Sequence, residues 1–314
     1  MNIVFMGNPP FAIPSLKKLV EERYNISAVI TNPDRPAGRG RKIKAPEIKT
    51  FAKGIGLDVY QPKSLGDAEF VDFLSSLNPD LFVVVAFRIL PGKLLEIPSV
   101  GSVNLHASLL PKYRGPAPIN WAIINGETET GVTTFLIKPK VDTGDILIRR
   151  KCPIPPDYNY GMLYSKLADI GAEAIVETIK RIEKRSLKPI PQDNSKASKA
   201  PKITDEVRKL DFSKTTLEII NLIRGLSPKP GAFTSFRSKI IKILDAEKSE
   251  IVEMSSVAGA IKIDKKAGRL YVGCGDGYIR IKSIQPQGRG KLSDLEFING
   301  YHPREGEILG EEVL

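Results

Sequence analysis

Three side chains of this sequence have the types and spacing to move an acyl group. Asn104 and His106 stand two residues apart in S-V-N-L-H-A. A strand has a side-chain period of two, so both project from one face while Val103 and Leu105 turn into a core. Asp142 opens D-T-G-D in the turn that follows a hydrophobic strand over Gly131 to Ile137. An amide steadies a developing oxyanion, an imidazole moves a proton, and a carboxylate fixes the imidazole's tautomer and stabilises its charged form. Between them lie the apolar step Leu109-Leu110-Pro111 and a loop with Lys112, Arg114 and Gly115.

The segments before this stretch alternate as strand and helix. Strands are expected at Ile3 to Met6, Ile26 to Thr31, Asp58 to Tyr60 and Leu81 to Ala86. Helices are expected near Ser15 to Arg23, Glu47 to Lys53 and Asp67 to Leu77. Leu81-Phe82-Val83-Val84-Val85-Ala86 is continuously apolar, as a central parallel strand covered on both faces must be. This pattern predicts an α/β fold, a Rossmann-like doubly wound and mostly parallel sheet whose strand ends hold the ligand. Gly7-Asn8-Pro9-Pro10 is not G-x-G-x-x-G and no Walker sequence occurs, so nucleotide cofactors are disfavoured. A further strand is expected over Gly144 to Lys151, and a long amphipathic helix over Tyr160 to Lys184.

At 314 residues the chain is long enough for two cores. The expected division is a catalytic domain over 1–186, a linker over 187–206 and a C-terminal domain over 207–314. Ser186 to Lys202 is polar, proline-containing and aperiodic, which marks the linker. A helix near Thr215 to Arg224 and four strands at Lys239 to Asp245, Gly259 to Ile263, Arg269 to Cys274 and Tyr278 to Ile284 suggest a small OB-like β-barrel. His302 lies in a C-terminal loop without catalytic company and reads as structural. Cys152 and Cys274 are isolated, which disfavours a disulfide or a zinc site and suits a reducing cytoplasm. No apolar run approaches the roughly twenty residues of a membrane helix, and the N-terminus reads as a first strand rather than a leader.

The formal net charge of +11 points to a polyanionic partner, most simply nucleic acid. Much of it lies in one loop, where Arg35, Arg39, Arg41, Lys42, Lys44, Lys49 and Lys53 face only Asp34 and Glu47. N-P-D-R-P-A-G-R-G-R-K-I-K-A-P is too rich in Pro, Gly and charge for regular structure. It reads as an arm that orders on contact with phosphates or bases.

N-x-H followed by S-L-L-P-x-Y-R-G, with D-T-G-D downstream, resembles the formyltransferases that use 10-formyltetrahydrofolate. Within that group, P-x-R-P-A-G-R-G and the later R-x-L-x-P-x-P-G-A are similar to those of methionyl-tRNA formyltransferases. The resemblance implies transfer of the formyl group of 10-formyltetrahydrofolate to the α-amino group of methionyl initiator tRNA. It implies Asn104, His106 and Asp142 as catalytic and Ser108, Leu109, Leu110, Pro111, Val85 and Ala86 around the folate. It also implies Arg35, Arg39, Arg41 and Lys42 on the tRNA, a tRNA-binding barrel, no metal and a cytoplasmic monomer. The chain departs from the pattern at Phe87-Arg88, where Tyr-Gly is usual, and at Lys229, where an aromatic is common. The alternatives are a formyltransferase acting on an amino sugar nucleotide, a 10-formyltetrahydrofolate hydrolase, and a catalytically silent RNA-binding protein. The intact Asn104, His106, Asp142 set argues against the last.

Overall fold

Ile3, Val4, Phe5 and Met6 lose all solvent exposure in β1 (Asn2–Gly7), the strand on which the first half of the chain is wound. The structure is a computed structural model and describes residues 1–37, 42–251 and 257–311. After β1 come β2 (Asn25–Ile30), a ribbon of β3 (Arg35–Ala37) and β4 (Lys42–Lys44), and β5 (Val59–Tyr60). Next are β6 (Leu81–Val85), β7 (Gly101–His106), β8 (Glu129–Leu136) and β9 (Ile146–Pro153). Seven of these form one sheet in the order β5-β2-β1-β6-β7-β8-β9. The pairings from β5 to β7 are parallel, and the last two, β7 with β8 and β8 with β9, are antiparallel. This is the mostly parallel α/β sheet that the alternation of elements called for. Every residue of β6 is buried, as its unbroken apolar run required.

The helix Tyr160–Glu183 covers part of this sheet, with Leu167, Ala174, Ile175 and Ile179 fully buried. At Gly171 a Cβ would approach Leu105 to 2.5 Å, so the missing side chain lets the helix sit directly on β7. The Thr178 and Thr134 hydroxyls, 2.7 Å apart, satisfy each other beneath it.

Packing divides the chain into two compact units that are interleaved in sequence. The first comprises Met1–Pro118, Glu129–Pro153 and Tyr164–Ala200. The second comprises Ile119–Thr128, Ile154–Leu163 and Pro201–Leu314. The second is built on β10 (Ala232–Phe236), β11 (Lys239–Lys248), β12 (Ile261–Asp264), β13 (Arg269–Cys274), β14 (Gly277–Pro286) and β15 (Leu292–Ser293). They form an antiparallel sheet in the order β10-β11-β14-β13-β12, with β15 on β14. Its core gathers Leu226, Ile243, Leu270, Ile281 and Phe297, and Ile124 packs against it. Two helices, Thr216–Leu226 and Asp294–Tyr301, each begin with a reciprocal capping box, Thr215 with Glu218 and Ser293 with Glu296.

Several elements were not anticipated. The ribbon of β3 and β4 is regular structure inside the loop expected to have none. Arg35, Pro36 and Ala37 pair with Lys44, Ile43 and Lys42, so backbone pairing organises the arm despite its prolines. Helices at Pro118–Ile124 and Asp294–Tyr301 and the strands β10 and β15 also went unread. His302 ends the last helix in the left-handed conformation, its N–H bonded to the Ile298 carbonyl, which gives it a structural role.

Candidate active site

The site is assembled where β6 and β7 end. Val84 and Val85 pair with Asn104 and Leu105, so Ala86 emerges next to His106 at the carboxyl edge of the sheet. Asn104 is half-buried, and the His106 side chain is 7% exposed. The two ring nitrogens have different neighbours. Nε2 lies 2.8 Å from the Tyr113 carbonyl, which can only accept, so Nε2 carries the proton. Nδ1 faces the Asp142 carboxylate at 3.8 Å, an ion-pair distance rather than a hydrogen bond. Nδ1 is therefore the ring nitrogen left to meet a substrate, with a carboxylate beside it.

The turn D-T-G-D divides its labour residue by residue. Asp142 adopts φ 53°, which turns its carboxylate toward the imidazole, and Oδ2 also accepts the Gly115 N–H at 2.9 Å. The Thr143 hydroxyl closes the turn on the Lys140 carbonyl at 2.8 Å. Gly144 passes so close to the Leu136 carbonyl that a Cβ would fall within its van der Waals radius. Asp145 turns outward and pairs with Lys138 at 2.9 Å through both oxygens, a surface contact that adds little stability. Asp142 and Tyr113, at φ 53° and 61°, are both left-handed without being glycine. Such residues cost on the order of 1 kcal/mol or more each and persist where their surroundings over-determine them.

The loop that joins His106 to Tyr113 is fixed by side-chain hydroxyls. Thr133, opposite His106 in the β7–β8 pairing, donates from Oγ1 to the Ser108 carbonyl at 2.6 Å and accepts the Leu110 N–H at 3.1 Å. The Ser108 hydroxyl donates to the Lys112 carbonyl at 2.6 Å. Of the residues expected around the folate, Val85, Ser108, Leu110 and Pro111 are buried, Leu109 is half-buried and Ala86 is exposed. Ala86 has φ 48°, which turns its backbone out of the strand beside the site.

Arg88, whose neighbourhood the sequence left open, is held by the backbone that follows β5. Nη1 and Nη2 donate to the carbonyls of Lys63 and Pro62 at 3.3 and 3.0 Å, and the guanidinium sits 5.1 Å from the centre of the Phe87 ring. Burial lowers its pKa, with a further contribution from Arg35. Lys229, the other departure, is exposed in the second unit.

Two of the residues expected to touch tRNA lie on the ribbon of β3 and β4 in the arm. Arg35 and Lys42 are exposed at either end of the ribbon, while Arg39 and Arg41 lie outside the described residues. The arm has a firm base. Asp34 receives Lys49 Nζ at 2.9 and 2.8 Å and Gln61 Nε2 at 2.7 Å. These bonds, Lys49 first, hold its carboxyl below the usual range. Gln61 Nε2 also donates to the Asn32 carbonyl at 2.6 Å.

Sequence reasoning passed over four participants. The Tyr113 carbonyl and the Gly115 N–H are main-chain groups, invisible to residue type. Gln192 and Ser198 lie in the aperiodic stretch, where nothing signals a role. Gln192 Nε2 donates to the carbonyls of Asp142 and Gly144 at 2.9 and 2.7 Å, and Oε1 accepts from Arg114 Nε and Nη2 at 3.1 and 2.6 Å. The Ser198 hydroxyl accepts the Tyr113 N–H at 2.9 Å.

Residues 1–179 match the family model "Formyl transferase", and residues 202–302 match "Formyl transferase, C-terminal domain". The chain is 45% identical over 311 residues to a methionyl-tRNA formyltransferase of Caldanaerobacter subterraneus, covering 98% of this chain and 100% of that one. It is 44% identical to a protein of the same name from Acetivibrio thermocellus, covering 99% and 100%. Among solved structures, WlaRD, a sugar 3N-formyl transferase, has a TM-score of 0.67 at 22% identity, covering 92% of this chain and 99% of that one. HypX from Aquifex aeolicus in complex with tetrahydrofolic acid has a TM-score of 0.64 at 19% identity, and the chain spans 47% of that longer protein. At these identities the two structures show the fold alone.

Proposed function

The chain belongs to the formyl transferase family, and from that premise we propose that it transfers the formyl group of 10-formyltetrahydrofolate to the α-amino group of methionyl initiator tRNA. One observation carries the chemistry. Asn104 and His106 share a strand face, and Nδ1 of His106 stands 3.8 Å from the Asp142 carboxylate. The acceptor rests on likeness to end-to-end relatives named methionyl-tRNA formyltransferase.

The free amine attacks the formyl carbon, a C–N bond forms and charge gathers on the formyl oxygen. Asn104 donates its side-chain N–H to that oxygen, and His106, when protonated at Nδ1, donates a second hydrogen bond. Oxyanion donors of this kind are typically worth about 3 kcal/mol each. Asp142 orients the imidazole and stabilises its charge. The proton released by the amine leaves through His106, Asp142 or a water between them, and the bond to the folate nitrogen breaks as that nitrogen regains a proton. Ala86 and the loop from Ser108 to Pro111 border the pterin.

Arg35, Arg39, Arg41 and Lys42 contact the acceptor end of the tRNA as phosphate partners. Residues 1–186 serve formyl transfer and 207–314 contact the tRNA body; of the stretch 187–206 between them, the part up to Ala200 packs in the first unit. Among the described residues no helix is long and apolar enough to cross a membrane. The proposed reaction on initiator tRNA carries with it a cytoplasmic location, and we take the protein as a monomer. One assay tests the whole reading: incubation with 10-formyltetrahydrofolate and charged initiator tRNA must yield formylmethionyl-tRNA. Product on an amino sugar nucleotide, or release of formate without an acceptor, would replace it.

A further inference from the structure

The two groups that face His106, the Tyr113 carbonyl and the Asp142 carboxylate, sit in loops held from outside by one short segment, residues 190–200. Its ends are fixed by backbone pairing. Ile190 exchanges two hydrogen bonds with Ile146, at 2.8 and 2.9 Å. Arg114 donates its N–H to the Ser198 carbonyl at 2.9 Å and accepts the Ala200 N–H at 2.7 Å. A Cβ at Gly115 would approach the Ala200 carbonyl to 2.6 Å, so the loop lies directly on the segment.

We propose that Gln192 is a positioning residue of the transfer site, holding Asp142 at Nδ1 of His106 while it anchors the Arg114 loop whose carbonyl at Tyr113 holds Nε2. This rests on the formyl-transfer reading of the site and adds to it a residue from the segment beyond the long helix.

The amide of Gln192 is fully used. Its two N–H groups go to the carbonyls of Asp142 and Gly144, and its oxygen takes two N–H groups of Arg114. A primary amide offers two donors and two lone pairs, so no capacity remains. Only an amide matches both sides at once. A carboxylate would keep the Arg114 contact but face two carbonyls with no proton to give. An alkyl chain would abandon all four groups. Arg114 Nη2 also reaches Asn194 Oδ1 at 2.8 Å, and Ser198 restrains the Tyr113 N–H. Two left-handed residues of the site, Tyr113 and Asp142, are thus fixed through the same segment, and the Gly115 N–H on Asp142 Oδ2 joins their loops. Releasing Gln192 would let the turn relax and carry the carboxylate from the imidazole without removing any group that touches substrate.

The test compares Gln192→Met, Gln192→Glu and Asp142→Asn in the full-length protein, with Lys196→Ala on the same segment as the neutral control. The chain contains two histidines, so the imidazole 15N resonances of His106 are assigned by comparison with His302→Gln. Both Gln192 variants should move the His106 resonances in the direction that Asp142→Asn moves them. Each should lower kcat about tenfold or more while KM for folate and tRNA changes by less than about threefold. Combined with Asp142→Asn, Gln192→Met should add less than about a twofold further loss, since both act through one group. Thermal melts identify any variant that fails to fold, and Ser198→Ala then replaces it. Unmoved His106 resonances, or losses that multiply in the double variant, would overturn the proposal. If wild-type protein forms no formylmethionyl-tRNA, the functional reading fails, and the resonance comparison alone decides the positioning.

Discussion

Oδ2 of Asp142 serves two partners at once: it accepts the Gly115 N–H at 2.9 Å and faces Nδ1 of His106 at 3.8 Å. The carboxylate therefore has a fixed address before any substrate arrives. Its distance to the imidazole is longer than a hydrogen bond, as is common for catalytic pairs that tighten only around the reacting groups.

Replacing His106 by Ala should lower turnover by about 10²–10⁴-fold, the usual range for a group that handles a proton in the transition state. Asn104→Ala should cost about 10²–10³-fold as an oxyanion donor. Single-turnover formation of formylmethionyl-tRNA measures both. Near-normal rates would remove either residue from the mechanism.

The Gly144→Ala variant should be crippled through folding rather than chemistry. Its new methyl would meet the carbonyl of Leu136, a strand residue whose own N–H is held by the Asp145 carbonyl at 3.0 Å, so the backbone cannot retreat. A loss of at least about 2 kcal/mol is expected, as for other overpacked sites. A melting temperature within a degree of wild type would show that the turn is softer than its contacts indicate.

Arg35→Ala and Lys42→Ala should raise KM for charged tRNA several-fold and leave the folate dissociation constant unchanged. Each should flatten the salt dependence of tRNA binding by about one unit of slope, the signature of one lost phosphate contact. A specific loss of folate affinity would move these residues out of the tRNA footprint.

Cys274 supplies a pH prediction. Burial raises its thiol from the ordinary 9.0 to about 12. The folded protein therefore keeps a proton that the unfolded chain gives up near pH 9. This contribution to stability is intact below about pH 9 and fades as pH rises toward 12. Urea midpoints should fall over that window, and Cys274→Ser should flatten the fall. Cys152, whose pKa burial also raises, should share Cys274's resistance to alkylation in native protein at pH 7.5.

The strand period placed Asn104 and His106 on one face, and the apolar run of Leu81 to Val85 marked the strand that would lie beside them. Both are local signals, and both elements formed as read. Asp142 reaches the same spot through tertiary folding that no local pattern encodes, and only a family motif joined it to the pair. The ribbon of β3 and β4 was hidden because prolines and charges suppress strand propensity, whereas its pairing is a property of two segments together. The helix Asp294–Tyr301 did carry a readable signal, Ser293 and Glu296 in capping-box spacing. Gln192 carried none. Its role exists only because two carbonyls and a guanidinium converge on one amide.

The interleaving of the two units constrains how such a chain can be recombined. Residues 119–128 and 154–163 pack with the C-terminal unit although the segments around them belong to the first. A hybrid spliced at a single point near residue 200 would therefore bring a new C-terminal half to two foreign segments, with Ile124 presented to a core that did not evolve around it. Exchange of C-terminal units between related chains should succeed only where those two inserts travel with the tail, or where the grafted tail already tolerates them.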